Sequence, residues 1–120
     1  MGSDGLLGSF EEQVLLAVAR DRGDAYGMRV RREIEARTGR DVSIGAVYST
    51  LDRLEKKGLV SSELREGSEG REGSEGRGRA QRFFRIEHAG AEALRTSLHL
   101  HRSMWEGLDP DTLLDGGGVR

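Results

Sequence analysis

Cysteine is absent from the 120 residues of this chain. Disulfides, thiol nucleophiles and cysteine-ligated zinc are therefore excluded, which agrees with a reducing cytoplasm. No stretch approaches the ~20 apolar residues of a membrane-crossing helix, so no membrane partner is expected. The opening MGSDGLLGSF lacks a basic segment followed by an apolar one, and no secretory signal is expected from it. Histidine is scarce. His99 and His101 stand two apart on a stretch that reads as helix, so they point in different directions and cannot share a metal. No HExxH, P-loop lysine or nucleophile elbow is present. Neither an enzyme nor a cofactor is expected. A dominant charge of one sign is missing too: 19 Lys and Arg against 21 Asp and Glu leave a net charge of −2. Any basic surface must be local. With 35% hydrophobic residues, the chain suits one small domain whose core gains from a partner chain.

Glycine, by contrast, is plentiful, at 18 residues. Residues 65–70 and 71–76 are the same hexapeptide, REGSEG. The repeat is too short and polar for a solenoid and reads as a lengthened, solvated loop. Its Glu66, Glu69, Glu72 and Glu75 lack the ligand order of a calcium loop. It also lacks the Gly-Lys-Ser/Thr ending of a phosphate cradle. Gly116–Gly118 lie in an acidic segment that reads as a frayed tail.

The rest is strongly patterned. Phe10, Val14 and Val18 step by four, with Leu15 and Ala17 beside them, which predicts an amphipathic helix. Ser9 and Glu12 are placed as its capping box. Tyr26, Val30 and Ile34 predict a second helix closed by Gly39. A third is capped by Ser43, carries Ile44, Val47, Tyr48, Leu51 and Leu54 on one side, and closes at Gly58. Ala46, Ser49, Thr50, Arg53 and Lys57 are assigned to its opposite, exposed face. Leu59–Arg65 and Gln81–Ile86 then read as the two strands of a hairpin whose loop is the repeat. A final helix starts near His88.

The expected fold is mainly α with a small β-hairpin. It is a winged helix-turn-helix at 7–87, with the wing at about 59–86, followed by a C-terminal dimerisation helix at 88–108 and a flexible tail at 109–120. In such a layout the third helix enters the major groove and the hairpin loop touches the flanking backbone.

Three stretches carry a family resemblance: AYGMRVRREIEARTG, VSIGAVYSTLDRLEKKGLV and GRAQRFFRIEHAGAEAL. In this order and spacing they resemble the PadR-like bacterial transcriptional regulators over roughly residues 7–106. The recognition-helix pattern corresponds to Ser43, Gly45, Ala46, Val47, Tyr48, Leu51, Leu54, Gly58 and Leu59. The family's Tyr-Gly pair is Tyr26-Gly27. Its basic residue, aromatic pair and Ala-Gly turn are Arg82, Phe83-Phe84 and Ala89-Gly90. This chain lacks the proline common before the recognition-helix glycine, has phenylalanines where tyrosines are common, and has a longer wing.

Affinity for DNA comes mainly from Lys and Arg on phosphates, and specificity from base edges. Residues 77–85 contain four arginines and no acid. On the third helix Ser49, Thr50 and Arg53 are candidate donors. Gly45 and Ala46 are small enough for close approach, and Tyr48 can pack its ring while its hydroxyl reaches a phosphate. The candidate DNA-binding set is Ser43, Gly45, Ala46, Tyr48, Ser49, Thr50, Arg53, Lys57, Arg77, Arg79 and Arg82. Arg29, Arg31 and Arg32 fit a merely solvated face as well as a DNA contact, Arg71 reads as solvated, and Tyr26 reads as a core aromatic.

Ala91, Leu94, Leu98, His101, Trp105 and Leu108 form a heptad-like seam. Such a stripe needs a covering surface, either the chain's own first helix or a second copy. The resemblance implies a homodimer paired through these helices and an inverted-repeat operator read by its two halves. Trp105 is expected to pack against the other subunit or the first helix, and the alternative that the resemblance implies is a stacking platform for a small aromatic or cationic effector. The reading is thus a cytoplasmic, homodimeric repressor whose partner is double-stranded DNA. The rival is a winged-helix protein-interaction module without a DNA role, and salt-dependent binding to duplex DNA separates the two.

Overall fold

The computed structural model of the protein describes residues 6–66 and 80–115. Three helices come first: α1 (Ser9–Arg20), α2 (Gly27–Thr38) and α3 (Ile44–Lys56). Strands β1 (Val60–Arg65) and β2 (Gln81–Ile86) pair antiparallel, and α4 (His88–Trp105) follows. This is the expected winged helix-turn-helix with an added C-terminal helix. Most of the REGSEG repeat, Arg71, Arg77, Arg79 and the glycine run at 116–118 lie outside the described residues, and so does the expectation of a loose spacer.

The core forms where the helical stripes meet. Val14, Leu15 and Val18 of α1, Val30 and Ile34 of α2, and Val47, Leu51 and Leu54 of α3 join Phe84 and Val60 of the hairpin in one buried cluster. Burying a side chain of this kind contributes about 1.5–3 kcal/mol, which is why the four-residue steps dictate helix placement. Helix α1 is central and packs on α2, α3, β2 and α4.

The ends of the elements follow local chemistry. Gly39 ends α2 in the left-handed region at φ 73°, and its N–H donates to the Glu35 carbonyl. Ser43 caps α3, its Oγ accepting from the Ala46 N–H at 3.1 Å. At α1 the cap lies one residue earlier than expected. Gly8 is the extended N-cap residue, Ser9 is already helical, and Glu11 rather than Glu12 accepts the Gly8 N–H at 3.1 Å.

Val60 pairs with Ile86 and Arg65 with Gln81 at the two ends of the hairpin. Phe84 is fully buried, and its N–H donates to the Ala25 carbonyl at 2.7 Å, so the segment before α2 bridges to the hairpin. Phe83 points to the other face of the strand and is buried as well. There Tyr26 meets it edge-on at 5.5 Å and the Arg65 guanidinium lies 4.0 Å above its ring. Tyr26 is thus the buried aromatic expected.

Two placements differ from expectation. Thr50 is only 2% exposed. It lies three residues after Val47 and four before Leu54, inside the buried arc of α3, and not on the outer face. Leu108 is outside the last helix, because α4 stops at Trp105 and Gly107 turns the chain at φ 86°. Beyond it, Pro110–Asp115 forms a short 3-10 segment interrupted at Thr112, so this part of the expected tail has local structure.

Gly90 is the one buried residue of α4. A Cβ there would overlap the Leu59 carbonyl oxygen and stand 2.9 Å from Ile86 Cγ1. The Glu87 N–H donates to that same Leu59 carbonyl at 2.9 Å. Backbone contact therefore seats α4 on the start of the wing, which accounts for the Ala-Gly pair. Gly90→Ala is expected to cost about 1–3 kcal/mol through overpacking, read as a lower midpoint in thermal unfolding.

Candidate nucleic-acid interface

Helix α3 buries Val47, Thr50, Leu51 and Leu54. At 100° per residue the opposite stripe is Gly45, Ser49, Asp52 and Lys56, and all four are exposed. Tyr48 and Arg53 flank this stripe. Nothing lies within 4 Å of a Cβ placed on Gly45, so the first turn of α3 presents bare backbone outward. Ala46, beside it, is half-buried. Ser43, whose Oγ is taken up by the cap, is exposed at the start of the same helix.

Tyr48 is 40% exposed. Its ring crosses the first residue of α2, where a Cβ on Gly27 would overlap the ring and hydroxyl. Gly27 is therefore the clearance for Tyr48, which gives the Tyr-Gly pair its physical reason. Burial pushes the Tyr48 phenol up, against the opposing pull of the Arg82 charge. The hydroxyl keeps its proton at neutral pH and is available as a donor.

The cations of the site are tethered. Arg53 Nε lies 3.3 Å and Lys57 Nζ 3.0 Å from one oxygen of Glu11, while Arg53 Nη2 donates to Thr50 Oγ1 at 3.2 Å. The other Glu11 oxygen accepts the Gly8 N–H. Only 13% of the Glu11 side chain is exposed. Burial alone would raise its carboxyl, but the Gly8 N–H and hydrogen bonds from Lys57 and Arg53 outweigh it and hold the group below its ordinary value.

Arg82 is tied to α3 as well. Its Nη2 donates to Glu55 at 2.5 Å and its Nη1 to Asp52 at 3.4 Å. Its Nε lies 3.3 Å from Ser62 Oγ, and the guanidinium sits 5.0 Å from the Phe84 ring. The structure thus places Arg82 as a brace between wing and α3. Arg65 braces the hairpin from the other side, through Asp24 and the Gly23 carbonyl.

Among the α2 arginines, Arg29 pairs with Asp21, Arg31 with Glu35, and Arg37 with Glu33. The Val42 N–H, outweighing slight desolvation and aided by Arg31, lowers Glu35, and the Arg37 hydrogen bond lowers Glu33. Arg29 and Arg31 therefore have structural partners.

On α4, Leu94 packs against the core and His101 Nε2 lies 3.4 Å from Glu12 of α1. Ala91 is half-buried, and Leu98, Trp105 and Leu108 are exposed. The predicted seam therefore divides, with Leu94 and His101 turned toward this chain's own first helix. Among the described residues no group of three or more His, Asp or Glu side chains could hold a metal ion, and no helix is long and apolar enough to cross a membrane.

Glu11, Asp52 and Glu55 were not singled out from the sequence, and Gly27 entered only through the Tyr-Gly pair. Their partners are distant in the chain or, for Asp52 and Glu55, lie across the hairpin, and no local spacing announces them.

The sequence profile of the transcriptional regulator PadR-like family matches residues 15–96. No curated protein is similar enough in sequence to match. Among solved structures, RosR of H. salinarum is 22% identical, with 96% of this chain and 94% of that one covered and a TM-score of 0.65. A PadR-like transcriptional regulator from Bacillus cereus is 21% identical, with 95% of each chain covered and a TM-score of 0.62. A PadR-like transcription factor from Bacteroides fragilis is 18% identical, covering 81% of this chain and 84% of that one with a TM-score of 0.66. These likenesses concern the fold.

The depressed Glu11 carboxyl has a sign that can be tested. A group whose folded pKa lies below its unfolded value stabilises the fold above the unfolded value, and loses that effect as pH falls through the folded one. Glu11→Gln is therefore expected to melt below wild type at pH 7. The gap should narrow as pH falls below about 4.3, the ordinary glutamate value, in thermal melts recorded across pH.

Proposed function

The chain belongs to the PadR-like family of transcriptional regulators, and from that premise we propose that it is a repressor acting as a homodimer on an inverted-repeat operator. The observation that carries the DNA reading is the outer stripe of α3. Gly45 lets the helix backbone approach the groove floor, Ser49 lies one turn on, and Arg53 flanks the stripe with part of its guanidinium fork unoccupied. In this reading Arg53 and Ser49 meet base edges, and the Tyr48 hydroxyl donates to a phosphate. Ser43 and Ala46 set the start of the helix against the groove. Lys57 and Arg82 act first by holding α3. Arg77 and Arg79 would supply phosphate contacts from the wing.

The dimer reading rests on α4. Leu98 is 48% and Trp105 45% exposed, one heptad apart on the same face of α4. A stripe of this kind marks an interaction surface, and a two-fold partner offers the same stripe in return. Trp105 does not line the hollow between α1 and α4, so packing against the second subunit is favoured over a ligand platform.

Two experiments test this. Arg53→Ala is expected to weaken binding to a duplex selected from a random pool by roughly 1–3 kcal/mol. Gly45→Ala should weaken the same binding while leaving thermal stability unharmed, because its new methyl group meets nothing in the protein. Binding of both variants at wild-type affinity would remove α3 from the interface and favour a protein-interaction module. Separately, Trp105→Ala is expected to shift sedimentation at micromolar concentration toward monomer, with duplex affinity falling as the two half-sites become unlinked. A variant that remains dimeric, with wild-type emission quenched by a planar aromatic compound, would favour the effector platform instead.

A further inference from the structure

Glu11 belongs to no element of the helix-turn-helix reading, yet it touches the recognition helix twice. It sits on the first turn of α1, with one oxygen committed to the Gly8 N–H. The other faces Arg53 Nε and Lys57 Nζ, residues 42 and 46 positions away in the chain. The geometry on Arg53 is selective. A guanidinium presents two two-pronged edges, one formed by Nε with a nitrogen of the fork and one formed by the two terminal nitrogens. Nε is taken by Glu11 and one Nη2 hydrogen by Thr50 Oγ1. Nη1 and one Nη2 hydrogen are left, three donors that neither anchor uses, on a group whose terminal edge can meet a pair of acceptors side by side. Thr50 is buried and Glu11 largely covered, so neither anchor swings freely. Lys57, meanwhile, has its charge matched before any phosphate arrives.

Resting on the DNA reading of α3, we propose that Glu11 is a specificity-determining positioning residue. Its carboxylate clamps the Nε side of Arg53 and neutralises Lys57, which leaves the terminal guanidinium edge to the O6 and N7 acceptors of a guanine in the major groove. The clamp acts in two ways. It removes rotamers of Arg53 that would scatter over phosphates, which favours the base contact. It also lowers the sequence-independent attraction of the helix end for the DNA backbone, which comes from uncompensated cations. Discrimination rises by both routes, at some expense of total affinity.

The test titrates wild type, Glu11→Gln and Thr50→Val against two duplexes of equal length at several salt concentrations. One duplex is selected by the wild-type protein from a random pool, and the other is unrelated. Glu11→Gln keeps an amide oxygen for the Gly8 N–H but loses the charge. It is expected to bind the unrelated duplex about tenfold more tightly, with a salt slope steeper by about one to two ions. Its preference for the selected duplex should fall about tenfold. Thr50→Val, close in shape and without the acceptor, should lower the preference and leave the salt slope unchanged. If wild type discriminates and Glu11→Gln matches it in both slope and preference, Glu11 is only a helix cap and the proposal fails while the DNA reading stands. Should Glu11→Gln not fold, Thr50→Val decides, and a wild-type preference in that variant overturns the clamp. A wild-type protein without salt-dependent duplex binding removes the DNA reading and the clamp together.

Discussion

What α3 turns outward depends on what it buries. Val47, Leu51 and Leu54 belong to the same cluster as Val14, Leu15 and Val18 of α1. That contact sets the rotation of α3 about its own axis. Rotating the helix by one residue would carry Gly45 and Ser49 off the outer stripe and drive a charged side chain into the core. Such a change would lose several fully buried side chains at about 1.5–3 kcal/mol each. The outward stripe of α3 is therefore set by core packing, with the precision of the core. Gly27 and Gly90 serve the same end: one admits the Tyr48 ring against α2, and the other lets α4 sit on the Leu59 backbone.

At a net charge of −2, any exposed basic stripe depends on where the acids stand. Here they stand as internal partners. Glu11 takes Arg53 and Lys57, Glu55 and Asp52 take Arg82, and Asp24 takes Arg65. Most of these pairs are half-exposed, and isolated pairs of that kind contribute about 0–1 kcal/mol. Their effect is chiefly geometric. Arg82 joins the wing to α3, and Arg65 joins it to the turn before α2, so the hairpin is held from both sides. These contacts tie α3, the hairpin strands and the turn before α2 together.

Helix α4 obeys a different logic. Its first turns are anchored through Gly90 and Leu94, and His101 approaches Glu12. Its apolar side chains further along outnumber the surface α1 can offer. An amphipathic helix gains stability when its apolar face is covered, and on α4 Leu98 and Trp105 are left exposed by this chain.

The spacing of apolar residues determined the order of elements, and local residue chemistry the Ser43 cap of α3, the Gly39 that closes α2 and the buried role of Tyr26. These are short-range consequences of helix and strand periods, and they hold whichever neighbours arrive. The family motifs were equally legible, and the structure supplies the close contacts that require Gly27 and Gly90. Tertiary structure alone decided the rest. Phe83 is buried on the second face of a strand because Tyr26 and Arg65 come from elsewhere to cover it. Arg53, Lys57 and Arg82 carry charges visible in the sequence, but their partners are recruited from 27 to 46 residues away. No local pattern encodes such pairing, since it follows from how the elements pack and not from the spacing along any one of them.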